Sequence, residues 1–299
     1  MITLKTNKSQ VEIFPSLGGV LGDLQLFNGS ISLSILDSYQ SANDTVAKLF
    51  SKSHFLLPFP NRMKDGRYTF DRKSYQFPIN DTNTNNNLHG FLEPIPMEII
   101  YQDENDNQAA IELKGNFEGV EYYPFPFDFY VKYILTASEL MIQIKITNTG
   151  NTAMPIGLGW HPYFKLDTTT IDTLKMQFSK CQSVEVDKRM IPNGKTADYT
   201  NFSKLKAIEN THLDHCFIFN NSDSKRGAVI LQSTTTTLSI WQETDVFPYF
   251  QVYTPDLRQS IAIEPMTCNV DAFNNKNGLW ILEPDEEKQM KFGVKMINN

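Results

Sequence analysis

Apolar and polar side chains alternate with a period of two over most of this chain. In ELMIQIKITNTG, residues 139–150, Ile142, Ile144 and Ile146 fall on one side and Gln143, Lys145 and Thr147 on the other. Successive side chains of an extended strand point to opposite faces, so the pattern predicts a half-buried antiparallel strand. Upstream, FYVKY sets Phe129, Val131 and Tyr133 on one face, and the turn TASEL joins the two runs into a hairpin. KQMKFGVKM repeats the alternation with Met290, Phe292, Val294 and Met296. Shorter strand candidates recur throughout: ITLKT, VEIF, ISLSIL, RYTF, MEIIY, AIELKG, LKMQF, SVEV, CFIF, AVILQ, TLSIW, YFQVYT and SIAIEP. Turns rich in Asn, Asp, Gly and Pro separate them. One segment, SANDTVAKLFSK, carries a helical pattern with Asn43 or Asp44 as its cap. So many strands and so little helix predict an all-β fold, a large antiparallel sandwich or barrel rather than alternating strands and helices around a parallel sheet.

A chain of 299 residues accommodates one large β domain or two ordinary ones. No composition shift or Gly/Ser linker divides it. DTNTNNN, residues 81–87, reads as a polar loop, and STTTT at 233–237 as a turn before a Thr-rich strand. A single domain over 1–299 is therefore expected. With 40% hydrophobic residues, 21 Phe and 12 Tyr, the chain has ample material for a core and is not a disordered one. A net charge of −7 argues against a general nucleic-acid binder, which needs clustered Lys and Arg, and favours a small neutral partner. The opening MITLKTNKSQVEIF lacks the apolar centre of a signal peptide, and no apolar run is long enough to cross a bilayer. A soluble cytoplasmic protein with no membrane partner is expected. Cys181, Cys216 and Cys268 are odd in number and far apart, which reads as free thiols in a reducing compartment.

Four stretches place a polar group where strand logic would put an apolar one. LLPFPNRMKDGRYTF carries Arg62 between a proline-bounded apolar segment and a turn; NNNLHGF carries His89 beside Gly90, which permits close approach of backbone or ligand. GLGWHPYF holds His161 between a tryptophan and a proline. SIAIEPMT ends an apolar strand on Glu264, with Pro265 expected to stop the ladder. Taken singly, each histidine has an ordinary reading as a packed structural side chain, Glu264 as a solvated strand end, and Arg62 as a surface or ion-pairing residue. Their order along one β scaffold is the informative feature.

That order resembles the aldose 1-epimerase, or galactose mutarotase, family. NRMKDGRYTF is similar to its Asn-Arg-x-x-x-Gly-x-Phe/Tyr-x-Phe segment, LHGF to its Leu-His-Gly element and HPYFKL to its His-Pro-Tyr-Phe-x-Leu element; IEPMT followed by DAFN resembles its Glu-Pro segment and the Asp-Ala-x-Asn after it. The likeness extends through LDHCFIF to the closing WILEPDEEKQMKFGVKM. It implies a large antiparallel β-sandwich of the mutarotase type, with Glu264 as general base and His161 as general acid. It further implies that His89 and Arg62 hold sugar hydroxyls or the ring oxygen and that Asp214, in LDHCF, binds hydroxyls. Two departures bear on the sugar pocket: the family's second Gly after Leu-His-Gly is Phe91 here, and the Gln after Glu-Pro is Met266. Phe91 is the ring best placed in sequence to stack on a sugar, whereas Trp160, Tyr163 and Phe164 read as packing or water-excluding groups around His161.

Interconverting α and β anomers requires one proton to leave the C1 hydroxyl while another reaches the ring oxygen. A carboxylate and an imidazolium supply that pair, each worth roughly 10²–10⁴-fold when correctly protonated. Their mutual attraction is expected to raise the His161 pKa and keep Glu264 ionised. No cofactor or metal is implied. The partner implied is a free aldohexose, bound by a monomer or homodimer. Two alternatives stand beside this. A hexose-6-phosphate 1-epimerase would recruit Arg62, Lys64, Arg67, Arg72 and Lys73 to a phosphate, although a solvated hairpin also accounts for them. A non-catalytic sugar-binding relative would keep the pocket without turnover. A zinc site from His212, Asp214 and His215 is disfavoured, because this spacing does not converge from one strand face.

Overall fold

The computed structural model describes residues 1–91, 93–167, 169–220 and 225–297. Two large antiparallel sheets dominate. The nine-stranded sheet runs in the order Met97–Glu104, Gln108–Phe117, Phe127–Thr136, Glu139–Asn148, Glu287–Ile297, Thr237–Glu243, Arg226–Gln232, Lys175–Phe178 and Lys206–Ala207. The eight-stranded sheet has Pro192–Tyr199, Cys181–Val186, Asp214–Phe219, Tyr249–Tyr253, Ile261–Met266, Gly159–Trp160 and Phe55–Leu56 in its main path, with Tyr163–Phe164 also paired to Ile261–Met266. A four-stranded sheet, Ile2–Lys5, Gln10–Phe14, Val20–Phe27 and Ser32–Ser34, precedes both in sequence.

The period-two pattern becomes the core. Phe127, Phe129, Val131, Tyr133 and Leu135 are all buried along one face of their strand, opposite Leu140, Ile142, Ile144 and Ile146 of the next. Met290, Phe292, Val294 and Met296 extend the same apolar face across Glu287–Ile297. It packs on the inner face of the eight-stranded sheet: Phe129 meets Phe55 at 5.4 Å, Phe292 meets Trp160 at 5.3 Å, and Phe178 meets Phe250 edge-on at 5.3 Å between ring centroids. Two sheets sharing one layer of interdigitated side chains make a sandwich and not a barrel.

The helix forms as expected at Thr45–Leu49, and Asp44 is its cap, accepting from the Ala47 N–H at 2.9 Å. Three local expectations change. The stretch ISLSIL forms a strand only over Ser32–Ser34, and Leu36 then makes a single bridge to Phe164. The polar loop at 81–87 is built into structure: Asn86–Leu88 is a strand paired with Arg62–Lys64, and the buried Asn87 side chain bridges the Pro78 carbonyl and the Gly90 N–H. Pro265 does not stop its ladder. It pairs with Phe250 on one side, and on the other it lies between the Ile263 N–H, which donates to the Pro162 carbonyl, and the Thr267 N–H, which donates to the Leu158 carbonyl, so the ladder runs on past the missing N–H.

Replacing Phe292 with Ala removes a fully buried ring held between Trp160 and Phe247. The expected loss of stability is about 3–5 kcal/mol. A shift in the urea unfolding midpoint measures it; an unchanged midpoint would mean that the cross-sheet contact contributes little.

Candidate active site

The site is set by strand register. Ile261–Met266 runs antiparallel to the 159–164 segment, with Met266 opposite Gly159 and Ala262 opposite Tyr163. One register satisfies both rungs, and it sets His161 across from Glu264. On the other flank Glu264 pairs with Gln251, Ala262 with Tyr253, and Tyr253 in turn with Asp214. Directly opposed residues share a face, and so do residues two apart on one strand. His161, Glu264 and Gln251 therefore form one row and Tyr163, Ala262, Tyr253 and Asp214 the next, all on the face turned away from the sandwich interior. The alternate residues Phe250, Val252, Ile261 and Ile263 enter the core.

Arg62 and His89 arrive from a separate two-stranded unit. Arg62 pairs with Leu88, and the chain turns back through residues with positive φ at Asn61, His89 and Gly90. A side chain at Gly90 would bring its Cβ to 2.2 Å from the Leu57 carbonyl oxygen, so this turn accepts only glycine. The His89 N–H donates to the Asn61 carbonyl at 2.8 Å, and the Asn61 N–H donates to His89 Nδ1 at 3.2 Å. With Nδ1 accepting, the neutral ring carries its proton on Nε2. Asp271, from the DAFN motif, takes no part in the cavity: its N–H donates to the Arg62 carbonyl and its carboxylate accepts from the Lys64 N–H, fastening the arginine strand.

These elements enclose a cavity of about 250 Å³ whose walls include Arg62, His89, His161, Asp214 and Glu264. Five of the six residues expected from sequence thus meet in one place. Phe91 is the exception. It stacks on Phe117 at 4.4 Å and borders an adjoining cleft, because the tight turn at Gly90 carries it past the cavity wall. Tyr163, Gln251 and Tyr253 line the cavity as well, and Tyr163 lies flat against the His161 ring at 5.0 Å. Arg62 is held from both sides, its Nε donating to Asp81 at 2.9 Å and its Nη2 lying 3.9 Å from Asp214. Gln251 donates to Asp214 at 2.6 Å. Sequence reading missed Gln251 and Asp81. Gln251 could be found only by combining the alternation of YFQVYT with the register beside Glu264; Asp81 lies in a low-complexity loop without a distinguishing signal.

His161 Nε2 stands 3.4 Å from Glu264 Oε1, and both residues are buried. Burial, not their mutual attraction, decides their protonation. It lowers the His161 pKa to about 3 and pushes Glu264 well above the usual carboxylate range; the Asp214 charge raises Glu264 further, while Arg62 opposes this. The expected imidazolium–carboxylate pair is corrected accordingly: removing both groups from water outweighs the attraction between them. His89 is likewise driven well down by burial, assisted by His161, Arg62 and His54. Glu264 Oε2, Gln251 Oε1 and His161 Nδ1 are buried without a protein hydrogen-bond partner. Orphaned polar atoms are uncommon in folded chains, and their concentration here marks a site made to receive polar groups.

His212 and His215 are exposed, and the His215 ring accepts from the Asp214 N–H, so the three do not converge on an ion. Among the described residues no cluster of three or more His, Cys, Asp or Glu side chains has metal-binding geometry, and no helix is long and apolar enough to cross a membrane. Cys181, Cys216 and Cys268 are buried free thiols.

The sequence profile of the family described as aldose 1-epimerase matches residues 1–295. The chain belongs to the aldose 1-epimerase family. Among its relatives, the uncharacterised Escherichia coli K12 protein YihR is 29% identical over 247 residues, which are 80% of this chain and 77% of that one. Mouse galactose mutarotase is 25% identical over 248 residues, 71% of each chain. The fold matches a galactose mutarotase-like protein from Clostridium acetobutylicum with a TM-score of 0.87 at 20% identity, covering 99% of this chain and 95% of the other. Galactose 1-epimerase from Lactobacillus acidophilus gives a TM-score of 0.80 at 18% identity, covering 99% and 93%.

This aldose 1-epimerase family member carries a testable acid sensitivity. His54, 2.7 Å from the Tyr39 hydroxyl, is lowered by burial to about 4, and His89 and His161 are lowered too. Between pH 6.5 and 4 the unfolded chain binds protons that these folded histidines refuse, so stability is expected to fall with pH. Each histidine contributes a slope of up to about 1.4 kcal/mol per pH unit. Urea unfolding across this range should show a shallower decline in the His54→Gln variant; an identical pH dependence would place His54 in a water-like setting.

Proposed function

We propose that this protein is an aldose 1-epimerase that interconverts the anomers of an aldohexose by acid–base ring opening and reclosure. The observation that carries the reading is the His161–Glu264 pair, opposed across one rung at 3.4 Å in a sugar-sized cavity. In this reading the Glu264 carboxylate takes the C1 hydroxyl proton, the C1–O5 bond breaks, and His161 delivers its proton to O5. Rotation about C1–C2 presents the other carbonyl face. His161 then recovers the O5 proton and Glu264 returns one to O1, so the pair ends as it began.

The pair shares a single titrating proton throughout. The imidazolium–carboxylate form and the imidazole–carboxylic acid form are tautomers, and burial favours the second. Ring opening therefore carries the pair from its less favoured form to its more favoured one, which lowers the cost of the step that breaks the ring. Hydrogen bonds from sugar hydroxyls and the Arg62 cation support the charged form at the start. Gln251 Oε1 and Asp214 accept from hydroxyls, and His89 Nε2–H donates. A phosphorylated substrate fits less well: of Arg62, Lys64, Arg67, Arg72 and Lys73, only Arg62 lines the cavity, and it is already engaged by Asp81.

The decisive measurement is NMR exchange or polarimetry on freshly dissolved α-glucose and α-galactose. Wild-type protein is expected to accelerate relaxation. Glu264→Gln and His161→Gln should each lower kcat by roughly 10²–10⁴-fold while sugar binding persists. Binding without acceleration in the wild type would instead support the non-catalytic relative. Asp81→Asn, which loosens Arg62 without touching the cavity floor, is expected to raise KM about 5- to 20-fold, more than it lowers kcat. The two constants from progress curves check this.

A further inference from the structure

The cavity around His161 and Glu264 does not end at His89. Leu49, Ser51, Leu88 and His89 form walls common to it and to a second cleft of about 470 Å³, nearly twice as large. A free hexose occupying the first cavity makes no use of the second. The junction also exposes apolar surface: Leu49, which lines both spaces, is 78% exposed, and Phe50, which lines the first, is 41% exposed. Exposed apolar groups gathered at a cavity mouth mark contact surface for a ligand.

Ring geometry says which part of a sugar would reach the cleft. With O1 at Glu264 and O5 at His161, the ring continues from O5 to C5, which carries the exocyclic C6. His89 lies edge-on to His161 with ring centroids 5.0 Å apart, and of these two histidines it alone also lines the second space. A substituent on C6 is therefore directed past His89 into the cleft. The lining there combines the apolar surfaces of Leu49, Phe55 and Phe91 with polar groups such as Ser51 and Asn80. Its one cation among the lining residues, Lys48, is neutralised by Glu93 at 3.1 Å. Apolar ring faces beside uncharged hydrogen-bonding groups, with no free cation, suit a second pyranose and not a phosphate or sulfonate.

Resting on the epimerase reading above, we propose that the cleft is a subsite for a neutral glycosyl group on C6, so that the protein accepts reducing 6-O-glycosyl hexoses as substrates. The test compares anomerisation of glucose, isomaltose (6-linked), maltose (4-linked) and glucose 6-phosphate by wild type and by Thr45→Trp. Thr45 borders the cleft but not the first cavity, and it is exposed at the start of the short helix. Isomaltose is expected to be turned over with kcat/KM at least equal to glucose and about tenfold above maltose and glucose 6-phosphate. Thr45→Trp should lower isomaltose turnover by about tenfold or more and leave glucose unchanged, which also certifies that the variant is folded. Normal turnover of glucose with isomaltose no better than maltose, or a phosphate ester that outperforms isomaltose, overturns this inference alone. So does a Thr45→Trp variant that treats both sugars as the wild type does. If Thr45→Trp loses glucose turnover as well, wild-type isomaltose against maltose decides. No acceleration of any sugar by the wild type overturns the epimerase reading and this inference with it.

Discussion

The antiparallel register between Ile261–Met266 and the 159–164 segment is the constraint on which the candidate site depends. Residues on a strand alternate between faces, so a slip of one position would turn Glu264 into the sandwich core and bring Ile263 to the cavity. The register is fixed by what the opposite face buries: Ile261 and Ile263 lie in the main core with Phe250 and Val252 of the neighbouring strand. Hydrophobic burial on one side of the sheet thereby determines which polar groups meet on the other. The same rows bring Gln251, Tyr253 and Asp214 alongside without any direct interaction among them being required first.

Holding a carboxyl and two imidazoles out of water opposes folding, and the surrounding structure offsets it. Aromatic contacts across the sandwich, among them Trp160 on Phe292 directly beneath the histidine segment, supply apolar burial close to the site. Local ties then limit the freedom of the polar groups. Asn61 orients His89, Asp81 and Asp214 flank Arg62, and Tyr163 covers one face of His161. Such fixed surroundings let groups remain in protonation states that water would not permit, which is the usual basis of acid–base chemistry near neutral pH.

The sequence makes the fold legible wherever one face of a strand is dry. The runs at 127–136, 139–148 and 287–297 alternate cleanly because each borders the core. Pro192–Tyr199 carries no such signal because it is an edge strand, polar and exposed almost throughout, with no dry face to create a period. In Val20–Phe27 the alternation is interrupted by Gly22 and Asp23 in the middle of its apolar run. At the site, the four unusual polar positions and Asp214 could be found because local motifs mark them. Gln251 looks like any outward polar residue until the register is known. Phe91 follows His89 in sequence but is carried away by a turn whose geometry composition does not specify. The protonation of His161 and Glu264 depends on depth below the surface, which no string of residues states.

Arg62 is fastened by Asp271, more than two hundred residues further along the polypeptide, and the row that holds Glu264 draws in His161 from about a hundred residues upstream. The cavity is therefore among the last features a growing polypeptide can complete during translation. Contacts of such sequence separation form slowly, because closing the intervening chain costs entropy before it gains any packing. A nascent chain that has not yet extruded residue 271 from the ribosome has neither a secured arginine nor a finished cavity, so unfinished copies lack the arrangement of polar groups that the folded protein presents.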